Sequence, residues 1–466
     1  MAGAYNDLTA SSLWEKGFIL QLDVTGGIDW STYFGDDRTR LEGLDFDATG
    51  RLYLVGDWEY SYPSQSLAGA SSWAAGGEHD LLLARFSAAG ALQWCTSYGG
   101  SDSEFGGDIV CTPQGFWVSG QTLSTTVPLI AGSGYNQSVN AGGRDLLLLA
   151  FNSSAACQKA TFVGGSDHDT PGVNSLAATS NGHVYFVGNT LSSDFPLQQS
   201  TGFYDDTNGD RAAFVLQFSG VTRAMMWGTY VYGSGNNAFE TAVVDNQERL
   251  IAVGFSKDPN FPLWQAPNTF FQGSIIDPVG FVSYWGYDGA IMCFNPAHVV
   301  QYASYFGGEQ GIYGDVVHTA SVHANRLLIA GMTDKDGINV AGYFPLFDPG
   351  FPAYYDETYD YNGGSNYWDG WVGAICTDFF SALSVDESTF GMPTAQWLDG
   401  TITLCGLSPG RTHCRLVDSR GRLVRESSVV VRPDGRADWN CGSVAAGTYV
   451  LRTDQNSSAV KVAVQN

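Results

Sequence analysis

HVYFVGNTLSSDFPL, residues 183–197, reads as a short strand in which Val184 and Phe186 alternate with Tyr185 and Val187. A glycine at Gly188, a polar loop and Phe-Pro-Leu follow. Counterparts stand at residues 51–64 (RLYLVGDWEYSYPS), 115–129 (GFWVSGQTLSTTVPL), 249–263 (RLIAVGFSKDPNFPL) and 326–346 (RLLIAGMTDKDGINVAGYFPL). Their glycines, Gly56, Gly120, Gly188, Gly254 and Gly331, lie 64, 68, 66 and 77 residues apart. Five copies at a near-constant period mean one supersecondary unit repeated along the chain.

Each unit carries four strand signals. Residues 43–47 and 51–55 form a hairpin around Ala48-Thr49-Gly50; residues 80–86 (DLLLARF) are an apolar run, and residues 92–98 (LQWCTSY) close on Gly99-Gly100. The third strand recurs at 18–23, 145–151, 213–218, 290–294 and 371–376, the fourth at 30–34, 159–163, 227–230 and 302–306. Short strands bounded by Gly, Asp and Asn are the all-β pattern. Four strands in a unit of roughly 65 residues, repeated radially, predict a β-propeller of about five to seven four-stranded blades. Inner strands are expected at 43–47, 108–112, 173–178, 240–245 and 315–320. Residues 2–17 match the loop that elsewhere follows Phe-Pro, so the array starts in mid-blade; with no signal peptide at the start, an upstream segment is expected.

Composition agrees. Charged residues are 15%, aromatics 14% and glycines number 58, which suits many short strands and turns rather than helical bundles. A net charge of −25 argues against nucleic acid, whose phosphates would be repelled. No apolar run is long enough to span a bilayer. The eight cysteines form no Cys-x-x-Cys pair, which excludes the usual structural zinc spacings. Cys405, Cys414 and Cys441 crowd the chain end, where an oxidising compartment would allow a disulfide.

The composite of an apolar strand, W/Y-S-T-Y-F-G-G, an acidic turn, an inner hairpin, G-x-T and x-F-P resembles the bacterial SBBP-type β-propeller repeat over residues 2–383. The resemblance implies a propeller scaffold, usually extracellular, with no shared catalytic constellation. After Asp386 the repeat stops, and residues 386–466 read as a small Ig-like antiparallel β-sandwich, leaving 1–385 to the propeller. Three ordered stretches, RLVDSRGRLVRE (415–426), AAGTYVLRT (445–453) and AVKVAVQ (459–465), resemble the type A C-terminal sorting domain of the type IX secretion system. The matching positions are Asp418, Gly421, Arg422, Gly447, Tyr449, Leu451, Arg452 and Lys461; Phe390-Gly391-Met392-Pro393 stands where the family has a Tyr-Pro-Asn-Pro-like opening. This resemblance implies the type IX translocon and outer-membrane shuttle proteins as partners, and an extracellular or cell-surface location.

Asp206, Asn208 and Asp210 alternate as Asp-x-Asn-x-Asp, an oxygen-rich spacing that suits Ca²⁺, although Arg211 follows and the distal Glu of an EF-hand is missing. A family turn is the competing reading. Tyr354, Tyr355, Tyr359, Tyr361, Tyr367 and Trp368 crowd one aromatic insertion that could stack on a surface glycan or a protein ligand, or merely pack its loop. The histidines share no motif, and the acids after the fourth strand (Asp36, Asp37, Asp102, Glu104, Asp167, Asp169, Glu309) recur once per unit, which favours turn chemistry over a single acid–base pair. The functional expectation is a binding or structural, adhesin-like module. An extracellular polysaccharide hydrolase or lyase is the alternative, and a spacer within a larger assembly a third.

Overall fold

The computed structural model describes the chain outside residues 1, 7–14, 36–37, 60–63, 75, 209, 233–234, 267–268, 276–285, 309–313, 324–325, 334–368, 377–393, 399–400, 406–409, 418–421, 433–436, 443, 445–446, 454–455 and 465–466. The described residues are all-β and fall into two compact units, one up to residue 376 and one from residue 394. The expected division at 385/386 lies outside the described residues.

Repeat I is the antiparallel sheet Arg40–Phe46, Leu52–Trp58, Asp80–Phe86 and Leu92–Tyr98, its strands lying in sequence order. Repeat II follows with Glu104–Thr112, Gly115–Thr122, Asp145–Asn152 and Cys157–Val163. Repeat III is Asp169–Ala178, Val184–Thr190, Ala212–Phe218 and Met225–Val231; repeat IV is Asn237–Val244, Leu250–Ser256, Asp288–Phe294 and Val300–Phe306. III and IV join at one point, where Asn174 pairs in parallel with Thr241, so together they count as one eight-stranded sheet. Repeat V shows three strands, Asp315–His323, Arg326–Thr333 and Asp369–Cys376, and an amino-terminal sheet shows Ala2–Asn6, Glu15–Leu22 and Ile28–Phe34. The first strands of successive repeats I to V lie against one another.

Strand alternation ordinarily means one buried and one wet face. Here both faces are buried. Val184 and Phe186 enter one apolar cluster with Leu146 and Leu148 of repeat II, while Tyr185 and Val187 enter another with Leu250 and Ala252 of repeat IV. Each middle strand is therefore covered from both sides by neighbouring repeats, which is why Leu52–Trp58 and Asp80–Phe86 are buried throughout. Burying one such aliphatic or aromatic side chain contributes about 1.5–3 kcal/mol, so contact between repeats supplies much of the stability.

The recurring W/Y-S-T-Y-F stretch has a hydrogen-bonding reason. Its first position, Trp94, Lys159, Trp227 or Tyr302, carries a long side chain with a donor at the tip. Trp94 Nε1 donates to Ser71 O (3.1 Å), Trp227 Nε1 to Phe203 O (2.9 Å) and Tyr302 OH to Phe270 O (2.8 Å). In repeat II Lys159 Nζ takes this place, donating to Tyr135 O, Ser133 O and Asn136 Oδ1. Two residues on, the hydroxyls of Thr96, Thr161, Thr229 and Ser304 accept from the backbone N–H of Trp73, Gln137, Asp205 and Gln272. Thus the fourth strand grips the connector that precedes its own third strand, satisfying buried backbone groups that no ladder reaches.

The second unit has a three-stranded sheet (Thr394–Leu398, Thr401–Cys405, Ala437–Asn440) and a four-stranded one (Leu423–Val431, Gly410–Val417, Gly447–Thr453, Asn456–Val464). Ile402, Leu404, Leu416, Trp439, Tyr449 and Leu451 share its buried core with the Cys414 and Cys441 thiols.

Candidate functional site

The first strand of every repeat I to V slips register at the same place. The irregularity falls between Leu41 and Gly43, Gly106 and Ile109, Pro171 and Leu176, Phe239 and Thr241, and Val317 and Thr319. A β-bulge bends its strand and re-aims a side chain. The bulged stretches hold Glu42, Asp108, Asn174, Glu240 and His318, one polar side chain at the slip of each first strand. The repeat glycine answers the bulge. A Cβ on Gly188 would stand 2.3 Å from Thr170 O, on Gly56 1.9 Å from Arg40 O, and on Gly254 2.1 Å from Ala238 O. The bulged strand pushes its carbonyl into the space a side chain would need, so the glycine spacing and the bulge are one device.

Hydrogen bonds cross between repeats at this level. Asp45 Oδ2 accepts from Cys111 N (2.7 Å) and Asp108 Oδ2 from Leu176 N (2.9 Å), each acid bracing the next repeat's first strand. Asn174 Nδ2 donates to Thr241 Oγ1 (3.3 Å) and to Thr319 Oγ1 of repeat V (3.2 Å), while Thr241 Oγ1 donates to His318 O (2.9 Å). Burial pushes the Asp108 carboxyl up to about 7, with the Asp45 charge adding and two backbone N–H donors opposing. Burial likewise raises Glu240 and lowers His318. Ser119 Oγ meets Asp108 only through the backbone, accepting from its N–H at 2.9 Å, and otherwise bonds Ser175 Oγ at 2.8 Å. No serine–carboxylate relay is built there; the arrangement ties strands together.

Of the residues singled out for calcium, Asp206 and Asp210 are exposed, and Asn208 is half-buried with Nδ2 donating to Ser192 O at 3.0 Å. The residue that organises this loop is Asp205: its Oδ1 accepts from Thr207 N and Oγ1 (2.9 and 2.6 Å), its Oδ2 from Tyr232 N (3.3 Å). Tyr354, Tyr355, Tyr359, Tyr361, Tyr367 and Trp368 lie outside the described residues, as do Asp418 and Gly421. Arg422 is exposed, Tyr449 and Leu451 are buried, and Val450 pairs with Lys461 across the last two strands. Gly447 pairs with Val464 and Arg452 with Arg415. The structure thus brings together the strand positions of Gly447, Tyr449, Leu451, Arg452 and Lys461.

Among the acids read as turn residues, Glu104 and Asp169 prove to be the first residues of strands and fully buried. Glu104 Oε2 accepts from Gly100 N (2.7 Å) and Asp169 Oδ2 from Gly165 N (2.8 Å). Their partners, Asp80 and Asp145, head the third strands of the preceding repeats and are equally buried. The inner-strand bulges themselves were missed by sequence reasoning, because a period-2 pattern breaks at the extra residue.

No family model matches the chain, and no curated protein matches it. Among solved structures, the chain is similar to the tetra-tandem repeat in the extending region of a large adhesion protein, at 12% identity and a TM-score of 0.13, over 91% of this chain and 97% of that one. So low a score says nothing of this chain's fold or activity. Among the described residues no helix is long and apolar enough to cross a membrane.

Proposed function

We propose that the repeats are the blades of a β-propeller that serves as an extracellular or cell-surface binding or structural module, without catalysis of its own. The observation that supports this most is the use to which the polar side chains of the first strands are put. The buried Asp108 and Thr241 and the half-buried Asp45 and Asn174 hydrogen-bond the backbone and side chains of other repeats. A scaffold needs such bracing, whereas a hydrolase needs a singular acid–base pair held near substrate. Residues 386–466 are proposed as an Ig-like signal that engages the type IX translocon and its shuttle proteins. The buried Tyr449 and Leu451, set in the strand that pairs with the last one, are consistent with a terminal module that folds before it is recognised.

Two experiments test the reading. The purified chain is applied to a glycan array with and without calcium, and its activity on soluble polysaccharides is assayed in parallel; chain cleavage would replace the binding module by the enzyme. Residues 387–466 are fused behind a signal peptide and a fluorescent reporter in a host with that secretion system. Surface or medium fluorescence is expected, lost on deletion of residues 461–466. Equal export of both fusions would remove the sorting assignment.

A further inference from the structure

At three seams between repeats buried carboxyl groups face each other: Asp288 and Asp315 across Gly307 where IV meets V (2.9 and 2.7 Å from its Cβ position), and one pair each where I meets II and II meets III. A Cβ built on Gly99 would stand 1.9 Å from Asp80 Oδ1 and 2.3 Å from Glu104 Oε2, so these oxygens confront one another across that glycine. At the next seam the Gly164 Cβ position lies 2.7 Å from both Asp145 Oδ1 and Asp169 Oδ2. Asp80 is 2% exposed and Glu104, Asp145 and Asp169 are 0% exposed, and among the described residues none of these four forms an ion pair. Among the described residues Asp80 Oδ1 has no hydrogen-bond donor. The seam between III and IV is the built-in control. Ala212 and Asn237 stand at the equivalent strand starts, and Asn237 Nδ2 donates to Asp258 Oδ2 (3.2 Å) while its Oδ1 accepts from Ser256 Oγ (2.5 Å).

Two buried like charges this close cannot both persist. We propose that the acid pairs Asp80–Glu104 and Asp145–Asp169 are each closed by one shared proton, a carboxylic acid donating to a carboxylate across the seam, so that these seams tighten in mild acid and loosen as the proton leaves to solvent. Among the described residues the surroundings offer no competing cation. At the first seam the other ionisable groups are Asp102, the Tyr98 phenol and His79, whose ring turns to Asp57 (3.6 Å) and Glu59 (3.9 Å). The second is faced by Asp194, Tyr135 and Tyr230, the Tyr135 hydroxyl donating to Gln137 Oε1. Arg144, beside Asp145, turns to Gln121 Oε1 and the Phe105 ring, and His168, beside Asp169, lies against Gly143. Burial first, then the partner's charge, lifts Asp80 to about 6 against the Gly76 N–H, and lifts Asp169 to about 7 against the Thr190 hydroxyl, the Gly165 N–H and the Ser192 hydroxyl. Both folded values exceed the unfolded ones of about 4, so their stabilisation is full below about pH 4 and is lost as pH rises through 6 and 7.

Thermal unfolding of the full chain is followed from about pH 5 to about pH 8 for the native protein and for Asp80→Asn with Asp169→Asn, each with chelator and with added calcium. An amide copies the protonated acid, so the native midpoint should fall by several degrees toward pH 8 while the double variant falls distinctly less. Asp108→Asn, run alongside, measures the share of the slope that belongs to the bulge. Should the double variant not fold, carboxyl-carbon NMR of the native chain gives the same answer through the assigned Asp80 and Asp169 signals, which should titrate above pH 5 separately from that of Asp108. An unchanged slope in the double variant, or Asp80 and Asp169 titrating near 4, overturns the proposal. So does a calcium-dependent rise that the native protein shows and the double variant lacks, which would make the pairs a cation site.

Discussion

Repeats II and III have the same strand order, the same bulge and the same connector grip, yet they meet their following neighbours differently. Repeat II presents Asp145 to Asp169, whereas repeat III presents Ala212 to Asn237. The connector changes with it. Gln137 Nε2 donates to Asp145 Oδ2 (2.6 Å), as Gln272 Nε2 does to Asp288 Oδ2 in repeat IV (2.6 Å), but repeat III has Asp205 where they have glutamine. The acid has moved off the strand and into the connector. The backbone frame is thus set by burial, glycine and bulge, and seam chemistry can vary on it without altering the frame.

If the frame dominates, damage to a shared position should outweigh any change at a seam. Trp227→Ala should cost about 3–5 kcal/mol, because a fully buried indole packed against Phe294 and His298 is lost along with its bond to Phe203 O. Urea unfolding reads the effect. Gly188→Ala forces a methyl toward Thr170 O at 2.3 Å and should cost about 1–3 kcal/mol, with repeat III hydrogen exchange rising first. A loss near zero would mean that the glycine is not there to admit the bulge.

The glycine, the middle strands and the fourth strands were legible because each obeys a local rule: a tight approach, alternation, a hydroxyl two residues after a Trp, Tyr or Lys with a donor at its tip. The first strands were only half legible. Expected at 108–112 and 173–178, they begin at Glu104 and Asp169, because the bulge interrupts alternation and hides the leading half. The facing of Asp80 with Glu104 could not be read locally, since it joins residues on different sheets. Its trace is a spacing of 24 residues that recurs from Asp145 to Asp169. At the chain end, the alternation of Tyr449 and Leu451 correctly marked a buried face.

Transplanting the acid pair sharpens the comparison directly. Ala212→Asp with Asn237→Asp should cost about 1–3 kcal/mol near pH 8, the penalty of buried polar groups left unpaired, and distinctly less near pH 5. Equal losses at both values would show that this seam cannot house a shared proton. The smallest effect belongs to the connector grip. Thr229→Val removes the acceptor for Asp205 N (2.8 Å) and should cost about 1 kcal/mol, independent of pH, by urea unfolding.

Site-resolved hydrogen exchange measures the difference between the seams themselves. Gly100 N and Gly165 N donate to the paired acids, while Asn237 N donates to Arg211 O at the seam without them. With intrinsic exchange rates divided out, protection at Gly100 and Gly165 should drop between about pH 5 and about pH 8 while that at Asn237 holds. Protection that stays level at all three, or falls equally at all three, would contradict the account.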